Sequence, residues 1–337
     1  MRNNYKICTM GCGSGMPVVN KALIKATYCN IKSIVTTFDS GGDSGRMRTD
    51  ERGNILAFSD YWRALISLWN DGEQKNAWEE MLRFRDGRGR NFGNLFFQFM
   101  SERVGNLSEV DELFSHLTGA RIIGKVIPVA VEPGNVCFKT ISGKEYCGEH
   151  NLDNLRMSDD RVKTIWLEPK VKANEEAIQA INEAEIIVVS PGSMYGSVIT
   201  NFLAEGMIEA YKRSKAKKIL MTNIMSVANE NSGFDQNDYV NVFKRYLGDV
   251  SPFELVLIAD LGKLDQKKLA VILKYYEKEH SYPIKYEKRS KIKVRYEDIA
   301  IIEEKNNTLR HSEEKLAKIF ARMLYVTKEA KKNQKRD

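Results

Sequence analysis

The stretch Tyr5–Ala26, YKICTMGCGSGMPVVNKALIKA, decides the fold. Tyr5–Met10 reads as a short buried strand, Gly11–Met16 as a glycine-rich loop, and Pro17–Ala26 as a helix by its apolar spacing. A strand feeding such a loop and then a helix opens a βα unit. Glycines there let the backbone approach a phosphate beside the free N–H groups and positive dipole end of the helix.

The same unit recurs along the chain. Strand-like runs follow at Ile31–Phe38, Thr164–Leu167, Ile186–Ser190, Lys218–Thr222 and Glu254–Ala259. Helical periodicity marks Asp60–Trp69, Asn174–Asn182, Val198–Arg213, Tyr239–Leu247 and Gln266–Glu279. Most of the strands are apolar throughout, as expected where both faces of a parallel sheet are covered. The expectation is a doubly wound, mostly parallel α/β sheet of the Rossmann-like kind.

Two insertions interrupt the alternation. Residues 60–117 read as consecutive helices, with Phe92, Phe96, Phe97 and Phe99 at a helical spacing that suits packing core. Residues 126–148 read as a small β excursion turning at Ser142-Gly143. No linker composition separates domains, so residues 1–337 are expected to form one domain carrying both insertions. Exposed apolar helix faces in 60–117 could pair subunits as a homo-oligomer.

Bulk composition excludes several classes. With 42% hydrophobic and 29% charged residues over 337 positions, the chain is of ordinary globular composition. No apolar run reaches the length of a membrane span, and no secretory h-region precedes the first strand, so a cytoplasmic protein without a membrane partner is expected. The five cysteines are scattered without a CxxC pair, which disfavours zinc; Cys137 and Cys147 flank the Ser-Gly turn but are expected to stay reduced. Of the net charge of +7, the segment KEAKKNQKRD at 328–337 supplies +3 from five basic and two acidic residues. It reads as a flexible basic tail, and no nucleic-acid partner is expected.

In an open α/β sheet a ligand sits beyond the carboxyl ends of the strands, and polar glycine loops follow strand after strand at that edge. The first offers Gly11, Gly13, Ser14 and Gly15 to a phosphate. The second, DSGGDSGRMR at 39–48, offers Gly41, Gly42 and Ser44 as a nest of N–H groups and Arg46 as a planar fork for phosphate oxygens. Asp39 and Asp43 in it could hold Mg²⁺ through oxygen ligands. Gly192 and Ser193 form a third cup near a helix start, Asn94 opens a helix where it could cap or touch a ligand, and Asn223 begins a further polar loop. Together these loops point to a phosphate-bearing small molecule of the nucleotide type. Neither standard fingerprint is present: a dinucleotide G-x-G-x-x-G would need glycine at Met16, and no Gly-Lys-Ser/Thr exists. A dehydrogenase using NAD, with Asp39 as its ribose acid, is a minor alternative.

In this order the loops resemble the 2-phospho-L-lactate transferase (CofD-like) family, most closely its gluconeogenesis-factor branch. The resemblance rests on Gly11–Val19, Asp39–Arg48, Gly93-Asn94-Leu95, Ser190–Leu203 and Arg310-His311-Ser312, and runs from about Lys6 to Leu316. Departures fall at Trp62 and Arg90, where the family carries arginine and histidine, and at Val227-Ala-Asn229, where it carries glutamine, proline and glycine. The branch implies a nucleotide-sugar-binding regulator tied to carbon metabolism and cell-envelope growth, with Gly13, Ser14, Gly15, Ser193 and Arg310 holding a uridine-diphosphate sugar. The transferase side of the family implies an alternative, a Mg²⁺-dependent enzyme moving phospholactate from a guanosine diphosphate donor to a deazaflavin. Asp60 would then be general base or metal ligand.

Overall fold

A computed structural model describes residues 5–26, 30–48, 56–70, 72–105, 107–248 and 251–333, without the side chains of 42, 46, 48, 108 and 325–333. Seven parallel strands form the main sheet: β1 (Lys6–Gly11), β2 (Asn30–Val35), β3 (Lys125–Pro128), and, after the small sheet described below, β7 (Ile186–Val189), β8 (Lys217–Met221), β9 (Leu255–Ala259) and β10 (Val294–Glu297). Their order is β10-β9-β8-β7-β1-β2-β3. From β1 the chain winds outward through β2 and β3, then returns to the other side at β7. The strand order therefore reverses between β1 and β7, where such sheets leave a crevice.

Both faces are covered. Along β7, Ile186 and Val188 enter one core while Ile187 and Val189 enter the other, and β1, β8 and β9 divide in the same way. Helix α1 (Gly15–Ala26) lays Met16, Val19, Ala22 and Leu23 on the first core. Asn20 stands in that apolar stripe, fully buried, and is satisfied there. Its Nδ2 donates to Ser33 Oγ at 3.0 Å and Ser67 Oγ at 2.9 Å, and its Oδ1 accepts from Thr9 Oγ1 at 2.9 Å. One amide thus ties α1 to β1, β2 and α3 (Ser59–Leu68).

The helical insertion continues with α4 (Glu73–Arg83), α5 (Phe92–Val104) and α6 (Val110–Thr118); the short α2 (Gly42–Arg48) precedes α3. Of the four phenylalanines expected in its core, Phe97 is fully buried and stacks on Phe114, and Phe96 packs against Trp78. Phe92 and Phe99 are 40% and 59% exposed. Helical spacing set the stripe's direction but not its width, so its outer edge remains on the surface.

Three antiparallel strands, β4 (Asn135–Thr140), β5 (Glu145–Cys147) and β6 (Val162–Glu168), make a second sheet in the order β5-β4-β6. The 126–148 segment is thus divided, because its first strand joins the main sheet beside β2. Conversely, Thr164–Leu167 leaves the main sheet for the small one. Cys137 and Cys147 face each other in the β4–β5 register and are joined as a disulfide, correcting the expectation of two thiols. The run Val198–Arg213 is broken: Gly206, with φ of +100°, caps a separate helix Met207–Arg213. A hairpin of β11 (Ala300–Glu303) and β12 (Thr308–His311) precedes the last helix, Glu313–Asn333. That helix enters the segment read as a flexible tail, and residues 334–337 lie outside the described residues. No helix among the described residues is long and apolar enough to cross a membrane.

Candidate functional site

The loops leaving β1 and β7 meet at the reversal of strand order, and a cleft of about 610 Å³ opens there. Gly13, Ser14 and Gly15 line it from the first loop, and Asp39, Gly41, Asp43 and Ser44 from the second. Asn94 on α5, Gly192 and Ser193 after β7, Asn223 after β8 and Arg310 on β12 also reach it. The expected contacts of Gly42 and the Arg46 side chain lie outside the described residues. Gly11 is not on the cleft wall; it sits behind it, where an added Cβ would come within 3.2 Å of Ser190 Cβ. Its φ of +147° suits glycine, and its bareness lets the two loops close together.

Gly15 shows why the first loop needs glycine. A Cβ there would stand 2.0 Å from the Pro191 carbonyl oxygen, so the start of α1 can rest on the turn after β7 only without a side chain. Gly13 has φ of +65° with open space around it. Its N–H donates to Asp60 Oδ1 at 2.9 Å. Arg63, one helical turn along α3, stands 3.7 Å from the same oxygen with its guanidinium over the Trp62 ring. Burial, then the charge on Asp39, raises the Asp60 pKa above the usual carboxylate range, against the pull of Arg63, the Cys12 thiol and the Gly13 amide. Burial also pushes the Cys12 thiol well up, so it serves as a hydrogen-bonding neighbour and not as a thiolate.

The second loop is held from within. Asp39 accepts from the Gly41 N–H at 2.8 Å and from Ser59 Oγ at 2.8 Å. Asp43 Oδ2 accepts from the Asn91 N–H at 3.0 Å and Asn94 Nδ2 at 2.9 Å, while Asn94 Oδ1 accepts from Trp62 Nε1 at 3.0 Å. The helix cap is Asn91, whose side chain accepts from the Asn94 N–H. The nitrogen and the oxygen of the Asn94 side-chain amide are therefore both engaged in joining α2, α3 and α5. The acid that does face Asp39 is Glu149, just after β5. A Cβ on Gly41 would sit 3.2 Å from Asp39 Oδ1 and 3.7 Å from Glu149 Oε2. That Glu149 oxygen is buried without a hydrogen-bond partner. Burial, then the charges on Asp39 and Asp153, lifts the Glu149 pKa far above the carboxylate range.

At the third cup the anion is supplied by the protein itself. Glu230 accepts from Ser193 Oγ at 2.7 Å and from the Met194 N–H at 2.6 Å, at the head of a π-helical turn, Met194–Ile199. Ser193 Oγ in turn accepts from the Gly196 N–H at 2.9 Å. Burial raises the Glu230 pKa. The free N–H groups expected at this helix start are thus closed by a carboxylate, as the Gly13 N–H is by Asp60, while Ser14 and Gly15 still line the cleft.

Residues 7–305 match the family model described as 2-phospho-L-lactate transferase CofD. The chain belongs to the CofD family. It is 32% identical over 332 residues to a protein provisionally named gluconeogenesis factor in Thermoanaerobacterium thermosulfurigenes, covering 96% of this chain and 98% of that one. It is 31% identical over 249 residues to the gluconeogenesis factor of Listeria innocua, covering 72% and 74%. A crystal structure of a UPF0052 family member from Bacillus halodurans superposes with a TM-score of 0.81 at 25% identity, over 94% of this chain and 99% of that one.

Within this CofD family chain, the departure from the family motif at Trp62 has a local account. Trp62 is buried beneath Gly93, which could carry no side chain because a Cβ would press on the indole and on the Leu82 carbonyl. Arg63 brings a guanidinium to Asp60 from the neighbouring position. The sequence does not mark Glu149, Arg85 or Arg156, and marks His311 only within the Arg310-His311-Ser312 motif; all four are on the cleft wall. Glu149 follows a strand of the small antiparallel sheet and not one of the main sheet, so its spacing does not mark it. Glu230 lay inside the recognised polar loop, but its partner at Ser193 is visible only in three dimensions.

Proposed function

We propose that this cleft binds a nucleotide sugar of the uridine-diphosphate type and that the protein acts as a binding regulator linked to carbon metabolism and cell-envelope growth. One observation carries the reading. The carboxylate of Asp60, the residue best suited to be a general base, is held by Gly13, Arg63 and Cys12 and so shapes the phosphate loop. The rim adds Arg63, Arg85, Arg156 and Arg310 as guanidinium groups for diphosphate oxygens. The relatives named gluconeogenesis factor support the link to carbon metabolism.

Mg²⁺ fits the floor of the cleft. The carboxyls of Asp39 and Glu149 lie close together, and burial with the Asp39 charge pushes Glu149 up to about 9, so at neutral pH it keeps a proton that a cation between the two would displace. Among the described residues no three acids, cysteines or histidines gather as a metal site. The ion would therefore take its remaining ligands from phosphate and water, as Mg²⁺ often does. When bound it would neutralise diphosphate charge.

The second reading is transfer of a phospholactyl group from a guanosine diphosphate donor to a deazaflavin, with Asp60 as base. The raised Asp60 pKa favours it, since a general base works best with its pKa near the working pH. Calorimetric titration with uridine and guanosine diphosphate derivatives, with and without Mg²⁺, separates the two. Preference for uridine-diphosphate sugars without product formation supports the regulator. Turnover with a deazaflavin acceptor overturns it.

A further inference from the structure

Beside the cleft, at the carboxyl end of β9, lies a second pocket of about 190 Å³. Its wall is built from Ile258 and Ala259 of β9, Leu269 and Leu273 of the helix Gln266–Lys278, and Pro283 and Ile284. Asn223 and Ile224, after β8, line both spaces, and Tyr276, one turn beyond Leu273 on its helix, lines the cleft. The two spaces are thus neighbours along one sheet edge. Asn223 is the polar group on their shared wall. Its Nδ2 donates to the Gly192 carbonyl at 2.9 Å, which leaves its side-chain oxygen as an acceptor for another partner. An apolar hollow has no use in holding phosphate.

Apolar walls with a few placed polar groups are the usual make-up of a site for an uncharged ring. Size selects the ring. An engineered apolar cavity of about 150 Å³ holds one benzene. A pocket of about 190 Å³ therefore takes a single six-membered ring, and the second ring of a purine would stay outside. Distance agrees. The first glycine loop follows β1, and the pocket lies beyond β8 and β9 in the order β9-β8-β7-β1, two to three strand spacings away, or roughly 10–14 Å. From the β-phosphate of a nucleoside diphosphate to the far side of a pyrimidine there are about eleven bonds, roughly 12 Å when extended. We infer that this pocket is the base site of the ligand: it holds the uracil ring, with Asn223 Oδ1 accepting the ring N–H, and so selects pyrimidine over purine nucleotides. The inference rests on the nucleotide-sugar reading and supplies its base specificity.

The test titrates the whole chain, in the presence of Mg²⁺, with three probes: inorganic pyrophosphate, UDP and GDP. Leu273 is half-buried, and Leu273→Trp fills the pocket. It should weaken UDP about tenfold or more, the scale of losing the burial of one ring, and leave pyrophosphate unchanged. Leu273→Ala enlarges the pocket and should narrow the preference for UDP over GDP. Equal weakening of UDP and pyrophosphate by Leu273→Trp, or of neither, overturns the base site while the nucleotide reading stands. GDP binding the unaltered protein as tightly as UDP overturns the selection of a single ring. Failure of every probe to bind the unaltered protein overturns the nucleotide reading and this assignment with it. Methyl NMR gives the same answer without substitution. Ile258, Leu269 and Leu273 should show NOEs to H5 and H6 of bound UDP. NOEs to Val18 or Leu309 of the cleft in their place would put the base elsewhere and overturn the inference.

Discussion

Asp60 Oδ1 holds the Gly13 N–H at 2.9 Å, across 47 residues of sequence, and so fixes the conformation of the first glycine loop. A carboxylate that anchors a loop and one that abstracts a proton answer differently to substitution. Asp60→Asn keeps an acceptor for Gly13 and removes the charge; affinity for UDP-glucose should stay within about threefold by calorimetry. Asp60→Ala removes the anchor and should weaken binding about tenfold or more, the worth of one charge-assisted hydrogen bond. Equal losses in both variants would count against the anchoring role.

The two glycines of this loop should differ in cost. At Gly13 an added methyl meets no atom within 4 Å but must adopt positive φ, so Gly13→Ala should lose about 1–2 kcal/mol in chemical denaturation. At Gly15 the methyl overlaps the Pro191 carbonyl, and the strand β7 turn must move. Gly15→Ala should lose about 3 kcal/mol, the upper range of overpacking, and should also weaken ligand binding.

Asn20 is a packing test without a ligand. Asn20→Leu fits the apolar stripe of α1 but strips Thr9, Ser33 and Ser67 of their shared partner, all three fully or nearly fully buried. A loss of about 2 kcal/mol is expected from denaturation midpoints. Thr9 and Ser33 still bond each other and Ser67 the Ala64 carbonyl, so a stabilised variant would show that the apolar gain exceeds the lost hydrogen bonds.

Asp111 gives a pH signature. It accepts from Tyr61 Oη at 2.5 Å and from the Val126 N–H at 2.9 Å, and burial raises its carboxyl to about 6 despite those bonds. The unfolded chain releases this proton near the ordinary aspartate value, so between about pH 4 and 6 the folded state binds more protons. The contribution of this group to stability is therefore greatest below pH 4, falls by roughly 3 kcal/mol as pH rises to 6, and is level above. Asp111→Asn mimics the neutral form: its amide can donate to Tyr61 while the Tyr61 hydroxyl donates to the Leu107 carbonyl, now 3.1 Å away. The variant should lack that share of the pH slope, and the difference between the two unfolding profiles measures it. Parallel profiles would refute the assignment.

Local pattern determined much of this protein. Apolar runs of strand length alternating with helical periodicity gave the parallel sheet, because side chains covered on both faces must all be apolar. The glycine loops marked the carboxyl edge of the sheet, where backbone must approach another group closely, as Gly15 does at Pro191. Tertiary structure alone decided what each polar group in those loops does. Asn94 became a brace between three helices, Glu230 filled the cup at Ser193, and Glu149 arrived beside Asp39 from a separate sheet. Hydrogen bonding and charge depend on distances of a few ångströms between residues far apart in the chain, and spacing along a sequence does not encode them.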